Sequence, residues 1–309
     1  MEVRPAPPRA APGRAGAPFQ EARPGHRSRG GGPPGGLAVL VDSHCHLQDR
    51  QFEADRGEVL ARAREAGVRA FVVVGWDLES SRRAIDLADE HHDVYAVIGV
   101  HPHYASRLDG RALRSLRRMA DSAKVVGIGE TGLDFYRNLS PPEDQRRAFR
   151  AQLELAAELR LPVVVHSRQA DEETFHVLEA YERAVLPDWP KDRPLGQMHC
   201  FAGDLSLALS YVQIGFLVSV PATCTYPKSE RICTVARGIP LRWLTVETDA
   251  PYLPPQSHRG RRNEPSYLPL TVEAIASLRG EEPSRVARGT ALAAAWLFGL
   301  GDIGGEEGA

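Results

Sequence analysis

The strongest constraint on how this 309-residue chain can fold is a beat that sets in after about residue 37. Short apolar, β-branched runs recur at 37–41, 70–74, 94–100, 125–128, 162–165, 195–198, 216–220 and 244–246. Between them, 59–66, 81–90, 112–120, 143–159, 173–184 and 205–214 repeat apolar residues at the spacing of one helix face. Strands that alternate with helices pair in parallel, and unbroken apolar runs suit strands buried on both faces. Eight such strands, finished by helices over 270–278 and 284–300, predict an α/β fold: a single-domain (β/α)8 TIM barrel over residues 37–303. The rival is an open doubly wound sheet. No Gly-x-Gly-x-x-Gly comes after the first run, which counts against its dinucleotide-binding version. Ser140, ahead of Pro141 and Pro142, and Asp204 are the expected caps of the helices they precede.

Residues 1–36 carry eight Pro, eight Gly and almost no large apolar side chains. They bury too little to offset their ordering entropy and read as a disordered extension; residues 304–309 read as a flexible tail. The extension's six Arg against Glu2 and Glu21 give it +4, which leaves −6 on the rest of a chain whose formal charge is −2. Composition therefore announces no basic nucleic-acid surface. Cys45, Cys200, Cys224 and Cys233 show no Cys-x-x-Cys pairing and fit reduced thiols. No apolar run is long enough to span a membrane, and the amino terminus lacks the apolar stretch of a secretory signal, so the expectation is a cytoplasmic protein with no membrane partner.

The functional signal lies just past the end of six of the eight apolar runs. His44 and His46 come after the first, His101 after the third, Glu130 after the fourth, His166 after the fifth, His199 after the sixth, and Glu247 and Asp249 after the eighth. In a strand, residues two apart point to the same side, so His44 and His46 face one way and Cys45 the other. Alone, such a pair says little. In a barrel, however, all of these positions converge on the carboxyl-terminal mouth, where strand-to-helix loops build active sites. Imidazoles mixed with carboxylates suit zinc, manganese and similar divalent ions. Four His and two carboxylates exceed the needs of one catalytic ion with an open position, whereas two ions sharing a carboxylate use the set economically.

The ordered segments Asp42-Ser43-His44-Cys45-His46, Gly99-Val100-His101-Pro102-His103, Gly127-Ile128-Gly129-Glu130-Thr131-Gly132-Leu133-Asp134, His166-Ser167-Arg168, His199-Cys200-Phe201-Ala202-Gly203 and Glu247-Thr248-Asp249-Ala250-Pro251-Tyr252-Leu253 resemble the signatures of the TatD family of metal-dependent deoxyribonucleases. Arg259-Gly260 and Arg262-Asn263-Glu264-Pro265 extend the resemblance toward the end of the chain. It implies a hydrolase of the amidohydrolase superfamily with two divalent metal ions (Mg2+, Mn2+ or Zn2+). His44, His46 and Asp249 would hold one ion, His166 and His199 the other, and Glu130 would bridge them. A carbamylated-lysine bridge is excluded, because Lys124, Lys191 and Lys228 are the only lysines and none follows an apolar strand.

The expected reaction is attack of metal-activated water on a DNA phosphodiester, with Asp249 and Glu130 as catalytic residues, Asp249 also relaying the proton, and 3′ to 5′ polarity implied by the family. Arg168, and Arg262 with Asn263, are candidates for holding phosphate oxygens, since guanidinium forks match phosphate geometry. The alternative for each arginine is a surface ion pair. His101 is read as a substrate-positioning residue or as a packed strand-end histidine; Tyr136 and Tyr252 either stack on a base or fill a loop core. Two departures from the family pattern, Val220 and Gln169, are expected to touch substrate preference. The competing functions are hydrolysis of a small phosphoester, ester or amide, and a non-catalytic nucleic-acid-binding role. The leading reading takes DNA as substrate, requires no stable protein partner and expects a monomer.

Overall fold

The computed structural model describes residues 39–301 and 303; the expected disordered extension and flexible tail lie outside the described residues. Eight strands form one sheet in sequence order, each parallel to the next. They are β1 (Leu40–Cys45), β2 (Val68–Val74), β3 (Val94–Ile98), β4 (Val125–Asp134), β5 (Val163–Arg168), β6 (Gly196–Met198), β7 (Phe216–Val220) and β8 (Leu244–Val246). The helices between them are α1 (Arg56–Glu65), α2 (Leu78–Glu90), α3 (Gly110–Met119), α4 (Pro142–Leu159), α5 (Asp171–Val185), α6 (Leu205–Gln213) and α7 (Glu230–Gly238). Two more, α8 (Leu268–Arg279) and α9 (Pro283–Phe298), end the chain. This is the expected barrel.

The alternation of side chains along each strand divides the core in two. Phe71, Val73, Ile98 and Val165 face outward into the layer shared with the helices. Val41, Val72, Val97, Val164 and Leu217 face the barrel interior, where Ala294, Leu297 and Phe298 of α9 pack against them and close its amino-terminal end. No strand ladder joins β8 to β1 among the described residues. The seam is instead held near the mouth by the Asp249 N–H to the His44 carbonyl at 2.9 Å and the His46 N–H to the Ala250 carbonyl at 2.8 Å. Asp42 reinforces it by accepting from the backbone and hydroxyl of Thr248 at 3.0 and 2.6 Å.

Several local expectations need correction. β4 extends six residues beyond the apolar run, so Glu130 lies within the strand and not after it. Its register against β5 shifts between Ile128 and Thr131. There Gly129 has φ +151° and Gly132 φ +136°; a Cβ on Gly132 would sit 2.0 Å from the His166 carbonyl. Ser140 does not cap α4: its hydroxyl donates to the His103 carbonyl at 3.0 Å, leaving Pro141 at the cap position. Asp204 does cap α6, accepting from the Leu207 N–H at 2.9 Å. Helix α7, not expected from the sequence, is a short element whose Ile232 and Val235 are buried. Val220 is wholly buried in the strand-to-helix core and does not line the mouth.

Candidate metal centre

The barrel mouth opens on a cavity of about 590 Å³ lined by His46, His101, Glu130, His166, His199 and Asp249, with His44 buried beneath. Two groups of donors face each other across it. In the first, the Nε2 atoms of His44 and His46 are 3.3 Å apart. Asp249 Oδ1 lies 3.8 and 3.4 Å from them, and Glu130 Oε2 3.6 and 3.8 Å. In the second, Glu130 Oε1 faces His166 Nδ1 at 3.0 Å and His199 Nε2 at 3.3 Å. The Glu130 carboxylate thus presents one oxygen to each group.

Backbone partners set the tautomers that make this possible. His46 Nδ1 lies 2.7 Å from the Val74 carbonyl, a bond that puts the proton there and leaves Nε2 bare for the cavity. His199 Nδ1 lies 3.2 Å from Glu247 Oε1 without forming a hydrogen bond, and that oxygen accepts from the Cys200 N–H at 2.6 Å. His101 behaves differently. Its Nδ1 accepts from the His103 N–H at 3.0 Å, so the neutral ring carries its proton on Nε2, 3.3 Å from Glu130 Oε1. Although His101 lies close enough to Glu130 and His166 to be a ligand, that proton makes it a donor.

The electrostatics are those of a crowded, dry site. Burial pushes the His101 imidazole down to about 4 and, aided by neighbouring His199, holds His44 well below the ordinary range. Burial opposes charge on Glu130, yet the imidazoles of His101 and His199 keep its carboxyl well below its usual value. His199 is driven the other way: burial disfavours its cation, but Glu247 and Glu130 outweigh that and raise it well above 6.5. His46 and His166 are raised by Asp249 and by Asp134 with Glu130, respectively, again against burial. Asp249 itself occupies the left-handed backbone region at φ +55°, a conformation held by its N–H bond to the His44 carbonyl.

The donor set fits divalent metal. Ligands about 2.0–2.2 Å from one tetrahedral ion lie roughly 3.3–3.6 Å apart, close to the spacings of the first group. Four overlapping groups, His44–His46–Asp249, His44–Glu130–His199, His101–Glu130–His166 and His199–Cys200–Asp249, bring their donor atoms within 4.8 Å of one another, and His44 Nδ1 is buried without a partner.

The remaining expected site residues divide. Arg168 lines the cavity with its guanidinium 3.9 Å above the Tyr136 ring. Arg262 does not reach it: the guanidinium makes a forked pair with Asp55 at 2.8 and 2.6 Å and lies over the Phe52 ring. Asn263 is fully buried, its amide donating to the Thr248 and Tyr252 carbonyls at 2.7 Å each. These two residues brace the loop after β8, so their expected phosphate role is withdrawn. Cys45 is a packing residue whose thiol meets the Val72 carbonyl at 3.6 Å. Sequence reasoning passed over Asp134, the last residue of the Gly127-to-Asp134 segment. Its Oδ2 lies 2.9 Å from His103 Nε2 and 3.2 Å from His166 Nε2, and it steers both rings.

A parallel barrel with histidines and acids clustered at its carboxyl-terminal mouth has the architecture of a metal-dependent hydrolase. Comparison with known proteins narrows this. Residues 41–299 match the family described as TatD related DNase, and the chain belongs to that family. It is 39% identical over 267 residues to the "3'-5' ssDNA/RNA exonuclease TatD" of Erwinia tasmaniensis, covering 84% of this chain and 100% of that protein. It is also 35% identical to an "Uncharacterized metal-dependent hydrolase YabD" of Bacillus subtilis, with 78% and 91% coverage. Among solved structures it is similar to YJJV, a TatD homologue from Escherichia coli, with a TM-score of 0.78, 30% identity, and coverage of 86% of this chain and 100% of that one. No helix among the described residues is long and apolar enough to cross a membrane.

Proposed function

We propose that the protein is a 3′ to 5′ exonuclease that trims single-stranded DNA or RNA with two divalent ions. The observation that carries this is the Glu130 carboxylate, which turns Oε2 toward His44 and His46 and Oε1 toward His166 and His199. Each pair of imidazoles, one of them joined by Asp249, makes a half-site, and Glu130 belongs to both. When bound there, divalent ions supply an activated water and neutralise charge that builds on a phosphodiester.

The chain's own groups complete the reaction. The Asp249 carboxylate, besides joining the first half-site, takes up the proton released as the water attacks phosphorus. His101, whose Nε2–H faces Glu130 Oε1 at 3.3 Å, steadies that carboxylate and borders the cavity beside the substrate. Arg168 and Arg137 line the cavity on the side of Tyr136 and offer guanidinium to the neighbouring phosphate. Tyr136 and Tyr252, 56% and 48% exposed, present ring faces that unpaired bases stack on irrespective of sequence. This favours single strands, in keeping with the name of the Erwinia relative. Four free thiols accord with a reducing cytoplasm.

The test is digestion of 5′-labelled single-stranded DNA and RNA with and without added Mg2+, Mn2+ or Zn2+. A descending ladder that needs metal is the expected product. Immediate release of a labelled mononucleotide would reverse the polarity, and inert strands beside cleavage of bis(p-nitrophenyl) phosphate would favour a small phosphoester.

A further inference from the structure

Beside the metal centre lies a second cavity, of about 630 Å³, between the loops after β7 and β8. Cys200 and Ala202 line both cavities, so the two share a wall that begins one residue from His199. We propose that this second cavity is a nucleotide subsite that holds the neighbouring residue of the same strand while the terminal phosphodiester is cut. This rests on the exonuclease reading above.

The lining points to that chemistry. Lys228, Arg231 and Arg259 line the cavity, and no Asp or Glu does; Glu230, although next to Ser229 and Arg231 in the chain, is not part of its wall. None of the three cations has a carboxylate in ion-pair range among the described residues, whereas nearby Arg62 and Arg262 are committed to Glu264 and Asp55. Three unpaired cations around an acid-free hollow attract an anion and repel a metal. The floor is different: Phe201 and Ile232 are apolar and buried, and the Tyr226 ring stands at the edge with the Arg259 guanidinium 4.9 Å from its centre. An apolar floor with an aromatic edge suits a base, and the cationic rim suits its phosphate.

The cavity is built before any ligand arrives. Tyr226 donates its hydroxyl to the Pro254 carbonyl at 2.8 Å, and the Gln256 N–H donates to the Thr225 hydroxyl at 2.8 Å. These bonds stitch the two loops together and fix the aromatic ring. In the metal-centre cavity, Arg168 over Tyr136 repeats the same pairing of guanidinium and phenol ring. A strand that runs from one cavity into the other can thus be gripped at two successive positions, which a mononucleotide product or inorganic phosphate cannot exploit.

The experiment compares the wild-type protein with a Lys228→Ala/Arg231→Ala/Arg259→Ala variant, all exposed positions, on bis(p-nitrophenyl) phosphate and on single-stranded oligonucleotides of two to eight residues. The wild type is expected to gain kcat/KM with length until the second cavity is filled. The variant is expected to lose that gain, with octamer KM raised by at least about tenfold and its salt dependence shallower by roughly 0.7 in log–log slope for each phosphate contact removed. A Lys228→Ala/Arg231→Ala/Arg259→Lys variant should restore part of both. Unchanged octamer KM and salt slope, or an equal loss on the small diester, would overturn the subsite and leave the exonuclease reading standing. Competition by free 5′-mononucleotide that disappears in the variant, without any length effect, would assign the cavity to product and also overturn it. A wild type inert on every oligonucleotide but active on the small diester would remove the exonuclease reading itself.

Discussion

Replacing Gln152 by Leu is expected to loosen both the barrel and its metal centre, although Gln152 is on α4 and touches no ligand. Its side chain is fully buried; Oε1 accepts from the Val100 N–H at 2.7 Å, and Nε2 donates to the Val100 carbonyl at 2.9 Å and the Thr131 hydroxyl at 2.8 Å. Val100 immediately precedes His101, and Thr131 immediately follows Glu130. Leucine fills nearly the same volume, so little cavity forms, but it leaves both backbone groups of Val100 buried without partners. At about 1–3 kcal/mol for each of the two stranded groups, less about 1 kcal/mol from the added apolar surface, the net loss is roughly 1–5 kcal/mol. For a domain of this size that is a fall in Tm of about 2–20 °C by calorimetry. Because Val100 and Thr131 adjoin His101 and Glu130, metal affinity by isothermal titration should weaken about 10- to 100-fold, as it does when partners of ligands are removed elsewhere. A fall in Tm below about 2 °C would refute the hydrogen-bond accounting. A full loss of stability with unaltered metal affinity would refute the link to the site.

Three further outcomes are expected. Asp249→Asn should lower kcat by about 10²- to 10⁴-fold while metal content stays close to that of the wild type, and near-normal turnover with metal retained would remove Asp249 as proton acceptor. Chelation should abolish strand cleavage and lower Tm; restoring metal to 100 times its dissociation constant should return about 2.7 kcal/mol of stability, read from denaturant melts. Asp93 makes a forked pair with Arg64 at 2.7 and 2.8 Å, and although burial opposes its charge, the guanidinium holds its carboxyl below the ordinary 3.8. A depressed folded pKa stabilises above the unfolded value and is lost as pH falls through the folded one. Asp93→Asn should therefore cost about 1 kcal/mol at pH 7, discounted for the partly exposed guanidinium, and nearly nothing by about pH 2; an equal cost at both pH values would contradict the pairing.

The barrel and its ring of donors were legible because parallel strands buried on both faces stand out as apolar runs, and a histidine or acid after such a run has only the mouth to occupy. Strand limits were less legible. The apolar run 125–128 places Glu130 after its strand, but β4 runs on through Gly129-Glu130-Thr131-Gly132, its glycines taking up backbone that a Cβ would prevent. The arginines were the hardest to assign. Arg168 and Arg262 have the same chemistry, and only the fold reveals that one lies over Tyr136 in the cavity while the other is matched with Asp55. Asp134 and Glu247 shape the site through the far nitrogen of a histidine, an indirect role that requires the facing strand to be in view.

The seam between β8 and β1 has a consequence for how the protein comes into being. The peptide groups that close it belong to His44, His46, Asp249 and Ala250, so the last strand docks against the first through donors of the first half-site. A ribosome delivers these partners at opposite ends of synthesis. Until the loop beyond β8 has emerged, the early histidines have no carboxylate from Asp249 and the sheet has an open edge. Completion of the first half-site and closure of the ring then become one late event.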